Sequence, residues 1–375
     1  MRIAIVINLS WNIYHFRMSL VKALLREGHE VVAIAPEDAY SVRLVEVGCT
    51  FVPLPMENKG TNPLQDLLLT KRFYDTYRRV RPDVILQYTI KPNIYGTLAA
   101  RMAGIPTINN VSGLGTVFIV QNLVSKVALR LYRLAFRYPS KVFFQNQDDQ
   151  SLFVQHRLVN RQITDVLPGS GIDTVRFAPA PAFVRNQPFV FLMIGRVLHE
   201  KGVVEYVEAS RLLQAEFPEV RFQLLGALDE AGNIGVKREV LERWVADGLL
   251  HYLGTTDDVA AVIAKADCVV LPSYREGTPK TLLEAAAMGK PLIATNVPGC
   301  KETVVDGRNG YLCEVKSALD LADKMRQMLH LDDASLHRMG RNSRTLAVEK
   351  FDERFVIKKY LEAIAEVEER LSLRV

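Results

Sequence analysis

Residues 276–284 read EGTPKTLLE, with a carboxylate at each end. Between the two glutamates lie Gly, Thr and Pro, residues that start helices rather than sit inside them. With Thr278 as cap and Pro279 in the first turn, Glu276 falls in a loop, and Glu284 falls in a helix that closes at Gly289. The backbone N–H groups of Thr278, Lys280 and Thr281 would crown that helix start and suit a phosphate. A loop carboxylate beside an anion site makes sense if it binds sugar hydroxyls or faces developing positive charge. Glu284 stands among leucines and alanines, where a carboxylate is costly unless a ligand partners it. A solvent-facing Glu284 is the competing reading.

A second stretch, GRVLHEKG (195–202), offers two cations, Arg196 and Lys201. Gly195 closes an apolar run, and Gly202 precedes the helical VVEYVEASRLL. Cations at a strand end beside a helix start form an anion site, although two surface cations would have the same spacing. His199 between them reads as a loop residue. The first apolar run, RIAIVIN, leads into NLSWNIYHFR (8–17) with no G-x-G-x-x-G, which weighs against NAD and FAD. That loop instead carries Asn8, Ser10, Asn12, Tyr14, His15 and Arg17. No D-x-D stands at a strand end, and Asp148-Asp149 and Asp257-Asp258 fit helix starts. A metal-bridged diphosphate is therefore not indicated.

The elements that must position these residues alternate. Strands are expected over 2–8, 30–36, 83–88, 106–111, 141–146 and 163–168, with helices between. LPGSGIDTVRFAPAPAF (167–183) interrupts as a linker. The alternation resumes at 189–195, 220–226, 249–254, 267–273 and 291–295. This predicts an α/β chain of two doubly wound parallel sheets, domains 1–168 and 169–352. The long helix near 353–371 is expected to reach back over the first domain. In such folds ligands collect at the carboxyl ends of strands, and the cleft between the domains is the default site.

A further helix, SKVALRLYRLAFRYPSK (125–141), places Lys126, Arg130, Arg133, Arg137 and Lys141 within an arc of about 80°. It reads either as a face for anionic lipid or an acceptor diphosphate, or as a core helix with one solvated cationic edge. With 375 residues the chain exceeds one ordinary core. The net charge of +5, without an aromatic-interleaved basic tract, does not argue for nucleic acid. No apolar run reaches the length of a membrane span. The N-terminus reads as a strand rather than a signal peptide. Cys49, Cys268, Cys300 and Cys313 are scattered and read as reduced thiols in a cytoplasmic protein.

GRVLHEKG, the E-x7-E of EGTPKTLLE, the following AAAMGKPLIAT and VDGRNGYL (305–312) together resemble retaining glycosyltransferases of family 4, which have the GT-B fold. The resemblance covers essentially the whole chain. SWNIYHFRM, APEDAY (35–40), TIKPNIYG (89–96) and NVSGLGTVF (110–118) resemble the bacterial subgroup acting on undecaprenyl-diphosphate-linked sugars. The resemblance implies two Rossmann-like domains and transfer of a hexose or N-acetylhexosamine, GalNAc or GlcNAc, from a UDP-sugar, without a metal or other cofactor. It implies that Arg196 and Lys201 hold the donor diphosphate, with Gly195, Gly277, Thr278, Lys280 and Thr281 among the donor-binding residues. Glu276 would contact the donor hexose, Glu284 the ribose, and the backbone near Tyr252 and Gly254 the base. Asn12, His15, Arg17, Lys91, Asn93, Gly113, Gly115 and Thr116 would serve the polyprenyl-diphosphate-linked acceptor. Lys126, Arg130, Arg133 and Arg137 would face an anionic membrane, on the inner face of the bacterial inner membrane. Family members often carry a His near the donor sugar after an N-terminal-domain strand. LQYTIKPN has none, leaving Lys91 or Asn93 as replacements. A GT-B isomerase of UDP-HexNAc and a non-catalytic sugar-nucleotide scaffold are the alternatives.

Overall fold

The computed structural model describes residues 1–57, 62–114, 123–180, 185–229 and 235–373. The chain divides into two units, Met1–Ser170 with Glu353–Val375, and Gly171–Asp352. The first unit holds β1 (Arg2–Val6), β2 (Glu30–Ala35), β3 (Thr50–Pro53), β4 (Val84–Tyr88), β5 (Thr107–Val111), β6 (Lys141–Phe144) and β7 (Thr164–Val166). They form one parallel sheet in the order β3-β2-β1-β4-β5-β6-β7. Helices cover both faces, so the central strands are apolar on both sides. Ile3 and Ile5 meet Leu20 and Leu24 of the helix Met18–Arg26 and Val356 and Tyr360 of the last helix, Glu353–Ser372. Ala4 and Val6, one residue out of phase, meet Leu69 and Phe73 of the helix Pro63–Val80. The last helix is also fixed by polar contacts. Asn110 donates to the Tyr360 hydroxyl (2.9 Å), and Lys359 pairs with Asp165 (2.8 Å).

The second unit holds β8 (Val190–Ile194), β9 (Arg221–Leu225), β10 (His251–Tyr252), β11 (Cys268–Leu271), β12 (Leu292–Thr295) and β13 (Gly310–Cys313). Its order is β10-β9-β8-β11-β12-β13, again all parallel. Phe191 and Met193 pack under the helices Val203–Gln214 and Ala318–Leu329 on one face. Leu192 and Val269 pack on the helix Lys280–Ala287 on the other. In both units the strand order reverses beside the first strand, between β1 and β4 and between β8 and β11. Loops from those neighbouring strands leave in opposite directions and open a crevice.

Two doubly wound parallel sheets are therefore what the alternation predicted. Each also gains an edge strand that the pattern did not reveal. β3 is the short TFVP, ending in a proline that only an edge accepts, and β13 is GYLC, which opens on a glycine. The basic helix is shorter than expected. It spans Leu123–Ala135, and Lys141 opens β6. Pro139 disfavours helical geometry at Tyr138, so Arg137 and Lys141 leave the helical arc. All four cysteines are buried free thiols, and burial raises the pKa of each.

Candidate active site

In the second unit, the switch point brings together residues that lie far apart in sequence. β8 ends at Ile194, and Gly195 and Arg196 lead into the turn His199–Lys201. Gly202 closes the turn at φ +75°, and a Cβ there would stand 2.1 Å from the Pro272 carbonyl oxygen. Only glycine lets this turn lie against the end of β11. The approach brings the Lys201 ammonium onto the Glu276 carboxylate in a direct ion pair, with the side chains 18% and 13% exposed. Glu276 is itself fixed from behind. Its N–H donates to the Pro298 carbonyl (3.1 Å), and a Cβ on Gly299 would stand 2.4 Å from its own carbonyl oxygen. Arg196 extends outward, 61% exposed and 3.9 Å from Glu200.

We expect Gly202→Ala to destabilise the second unit by about 2–4 kcal/mol, through the left-handed backbone and the collision with Pro272. Thermal melts should show this. A wild-type melting point would refute the role given to this turn.

The helix after Glu276 begins later than its sequence suggests. It spans Lys280–Ala287, with Pro279 at the N-cap in an extended conformation (ψ 114°) and no side-chain cap. The Pro279 carbonyl accepts from Leu282 (3.1 Å) and Leu283 (3.3 Å). Thr278 is buried one residue outside the cap, because a residue preceding proline is steered away from helical geometry. Gly277, Thr278, Lys280 and Thr281 thus surround one helix N-terminus, where the backbone dipole favours an anion.

Glu284 lies one turn in, 7% exposed. Burial raises its pKa to about 7, against the opposing pull of Lys280 and Arg176. Its nearest cation, Lys280, is 3.9 Å away. Burial therefore favours the neutral carboxyl up to about neutral pH. At the far edge of the sheet, the Tyr252 hydroxyl donates to the Gly226 carbonyl (2.8 Å), and Gly226 N–H to the Gly254 carbonyl (2.8 Å). These bonds fix the corner where the resemblance puts the base.

In the first unit, the loop after β1 forms the helix Ser10–Phe16, with Asn12 bonded to Asn8 (3.3 Å) and His15 packed between Trp11 and Tyr40. Arg17 is 5% exposed, and its guanidinium lies 4.4 Å from the centroid of the Tyr88 ring at the end of β4. Among the described residues it has no carboxylate partner, and its Nε makes no hydrogen bond. Beside it, Thr89 adopts φ +64°, an outlier for a β-branched residue and a mark of a constrained site. Lys91 is already engaged. It pairs with the buried Asp66 (3.1 Å), which also accepts from the Tyr95 hydroxyl (2.7 Å).

Asn93 is 1% exposed, donates to the Asn110 carbonyl (2.9 Å) and accepts from Asn109 (3.0 Å). Its amide holds the sheet to the π-helical turn Pro92–Gly96 and is not presented to a ligand. Gly113 follows β5 at φ +141°. Gly115 and Thr116 lie outside the described residues. Lys126, Arg130 and Arg133 are exposed on the helix Leu123–Ala135, and Arg133 donates to the His156 carbonyl (2.9 Å).

Sequence reasoning separated Lys201 and Glu276 into two roles and missed their pairing. The available signal was that both follow strands adjacent to the expected order reversal. It also gave no warning of the Thr89 backbone, because local sequence does not reveal a left-handed threonine.

This fold is the GT-B fold of sugar-nucleotide-dependent glycosyltransferases. Anabaena Alr3699/HepE, solved in complex with UDP-glucose, superposes with a TM-score of 0.78 over 99% of both chains at 21% identity. Sucrose-phosphate synthase from Thermosynechococcus elongatus superposes at 0.80 over 100% of both chains at 17% identity. Residues 15–169 match the glycosyl transferase 4-like domain, and residues 177–346 match the glycosyl transferases group 1 domain. The chain belongs to the family 4 glycosyltransferases. It is 31% identical to the N,N'-diacetylbacillosaminyl-diphospho-undecaprenol alpha-1,3-N-acetylgalactosaminyltransferase of Campylobacter jejuni, over 96% of this chain and 97% of that one. It is 23% identical to the UDP-Gal:alpha-D-GlcNAc-diphosphoundecaprenol alpha-1,3-galactosyltransferase of Escherichia coli, over 89% and 91%.

Proposed function

We propose that this glycosyltransferase moves an N-acetylhexosamine, GalNAc or GlcNAc, from a UDP-sugar to an undecaprenyl-diphosphate-linked sugar, with retention of anomeric configuration and without a metal. The observation that carries the reading is the Lys201–Glu276 pair set beside a helix start, with the buried Glu284 in the same helix. In this reading Lys201, Arg196 and the amides at the helix start hold the diphosphate, and Glu284 accepts the ribose hydroxyls. The bond from anomeric carbon to phosphate oxygen breaks ahead of bond formation. Negative charge grows on the leaving diphosphate, where fixed cations stabilise it most. Glu276 faces the oxocarbenium-like carbon and binds sugar hydroxyls. The acceptor hydroxyl attacks from the face the diphosphate leaves, and the departing phosphate oxygen takes its proton.

The acceptor belongs to the first unit, where the buried guanidinium of Arg17 beside Tyr88 suits its diphosphate. Lys126, Arg130 and Arg133, with the exposed Val127 and Leu134, support peripheral contact with an anionic membrane at its cytoplasmic face. None of the helices among the described residues is long and apolar enough to cross a membrane.

Incubating the protein with a panel of UDP- and GDP-sugars tests the donor. UDP-GalNAc or UDP-GlcNAc should release UDP slowly, and faster with an undecaprenyl-diphosphate-linked sugar. NMR of the product should show an α linkage, and EDTA should leave the rate unchanged. Turnover of GDP-sugars alone, a β-linked product, or loss of activity in EDTA with recovery in Mg²⁺ would each overturn the corresponding part. Rearrangement of the donor sugar without acceptor would instead establish an isomerase.

A further inference from the structure

The first unit also contains a cavity of about 370 Å³ at the amino-terminal edge of its sheet, opposite the strand ends that carry Arg17 and Thr89. Thr107, the first residue of β5, and Ser140, just before β6, are among its lining residues. Three arginines are among its lining residues, Arg101, Arg137 and Arg370. Arg101 comes from the helix Thr97–Ala103 and Arg370 from the last helix. Arg137 stands in the turn where the basic helix has already ended, so it serves this cavity rather than the cationic face.

The three arginines are exposed, so solvent screens their repulsion, and a bound anion would relieve what remains. Arg370 has a distant carboxylate, Glu366, at 3.9 Å. Among the described residues, neither Arg101 nor Arg137 has an acidic partner, and Arg101 lies against the Tyr138 ring instead (5.5 Å). Thr107 is one of the lining residues, and its hydroxyl is buried without a hydrogen-bond partner. Leaving such a group unmet is costly, and a bound water or ligand can relieve it. Ile105, Pro106, Val367 and Leu371 add an apolar part to the lining. The cavity is much larger than a bare ion needs and lies in the range of small-ligand pockets.

We propose that this cavity is a second ligand site, separate from the transfer chemistry, for a phosphate ester that carries an apolar group. The guanidiniums take the phosphate oxygens, and the apolar walls take the substituent. The ester is either a membrane lipid headgroup with the first part of its chains or a free phosphorylated metabolite.

Calorimetric titration of the full chain separates these sources. One arm uses glycerol 3-phosphate, and the other uses dihexanoylphosphatidylglycerol below its micelle concentration, with dihexanoylphosphatidylcholine as the neutral-headgroup control. The proposal expects saturable binding of at least one anionic probe, tighter than the control. Arg101→Gln/Arg137→Gln should weaken it by about tenfold or more. A cooperative thermal melt of wild-type amplitude, followed by circular dichroism, should report that the variant is folded. Arg370→Gln, an exposed single change, gives a second reading if the double variant is unstable. Binding of glycerol 3-phosphate assigns the free metabolite, and binding only of the lipid assigns the headgroup. Failure of both probes to saturate by about 5 mM, or equal affinity in the variants, would overturn the site.

Discussion

Glu276→Gln and Lys201→Met should each reduce sugar transfer by about 10²–10³-fold or more, the scale seen when one preorganised charge is taken from a transition state. The same substitutions should also lower stability. Lys201 and Glu276 are mostly buried against each other, so removing either leaves an uncompensated charge. We expect a loss of about 3 kcal/mol and a melting point lower by about 5–10 °C. The double variant Lys201→Met/Glu276→Leu separates the two effects. Replacing both charges with apolar groups should restore most of the stability while transfer stays lost. Wild-type transfer in either single variant would sink the site assignment. A double variant as unstable as the singles would sink the ion-pair account.

Glu284→Gln should change stability in a pH-dependent direction. The folded-state pKa is raised by burial from 4.5 to about 7. Between these values the unfolded chain ionises Glu284 while the folded chain keeps it protonated. Wild-type stability contributed by this group is therefore greatest below the lower value and falls as pH rises toward 7. Above 7 the buried charge costs about 3 kcal/mol, a cost the glutamine variant does not carry. Denaturant unfolding should find the variant gaining on wild type from pH 5 to pH 8.

Under the proposed donor reading, UDP binding should move the opposite way. Ribose hydroxyls donating to the ionised carboxylate favour it, so wild type should bind UDP increasingly better than the variant over the same pH range. Parallel UDP affinities at every pH would remove Glu284 from the ribose site. A flat stability difference would show that burial does not govern its ionisation.

Much of the local structure around the proposed donor site was legible in sequence because its parts are local. Gly277, Pro279 and Gly289 punctuate one helix, and that punctuation alone put Glu276 outside it and Glu284 inside. The cap was misplaced by one residue because Pro279 restricts both itself and Thr278, a competition that residue preference does not resolve. On the acceptor side, local polarity was a poorer guide. Asn12, Lys91 and Asn93 all looked available, yet Lys91 holds Asp66 and Asn93 holds two other asparagines. Polar side chains in a loop sequence carry no sign of which will be turned inward to satisfy buried backbone and amide groups.

The sequence by itself determined the two-unit α/β architecture, because apolar runs at strand length and helical periodicity are local properties written into each segment. It also determined the chemical kinds present at the strand ends, namely two cations, two carboxylates and a helix start. Only the tertiary structure decided their partnerships. Lys201 meets Glu276 because β8 and β11 are neighbours and Gly202 lets the backbone close on Pro272, a contact spanning 75 residues. Arg101, Arg137 and Arg370 surround one cavity because the last helix returns to the first unit. Such meetings depend on strand order and chain return, which are set by the summed burial of the whole sheet and not by any single stretch of residues.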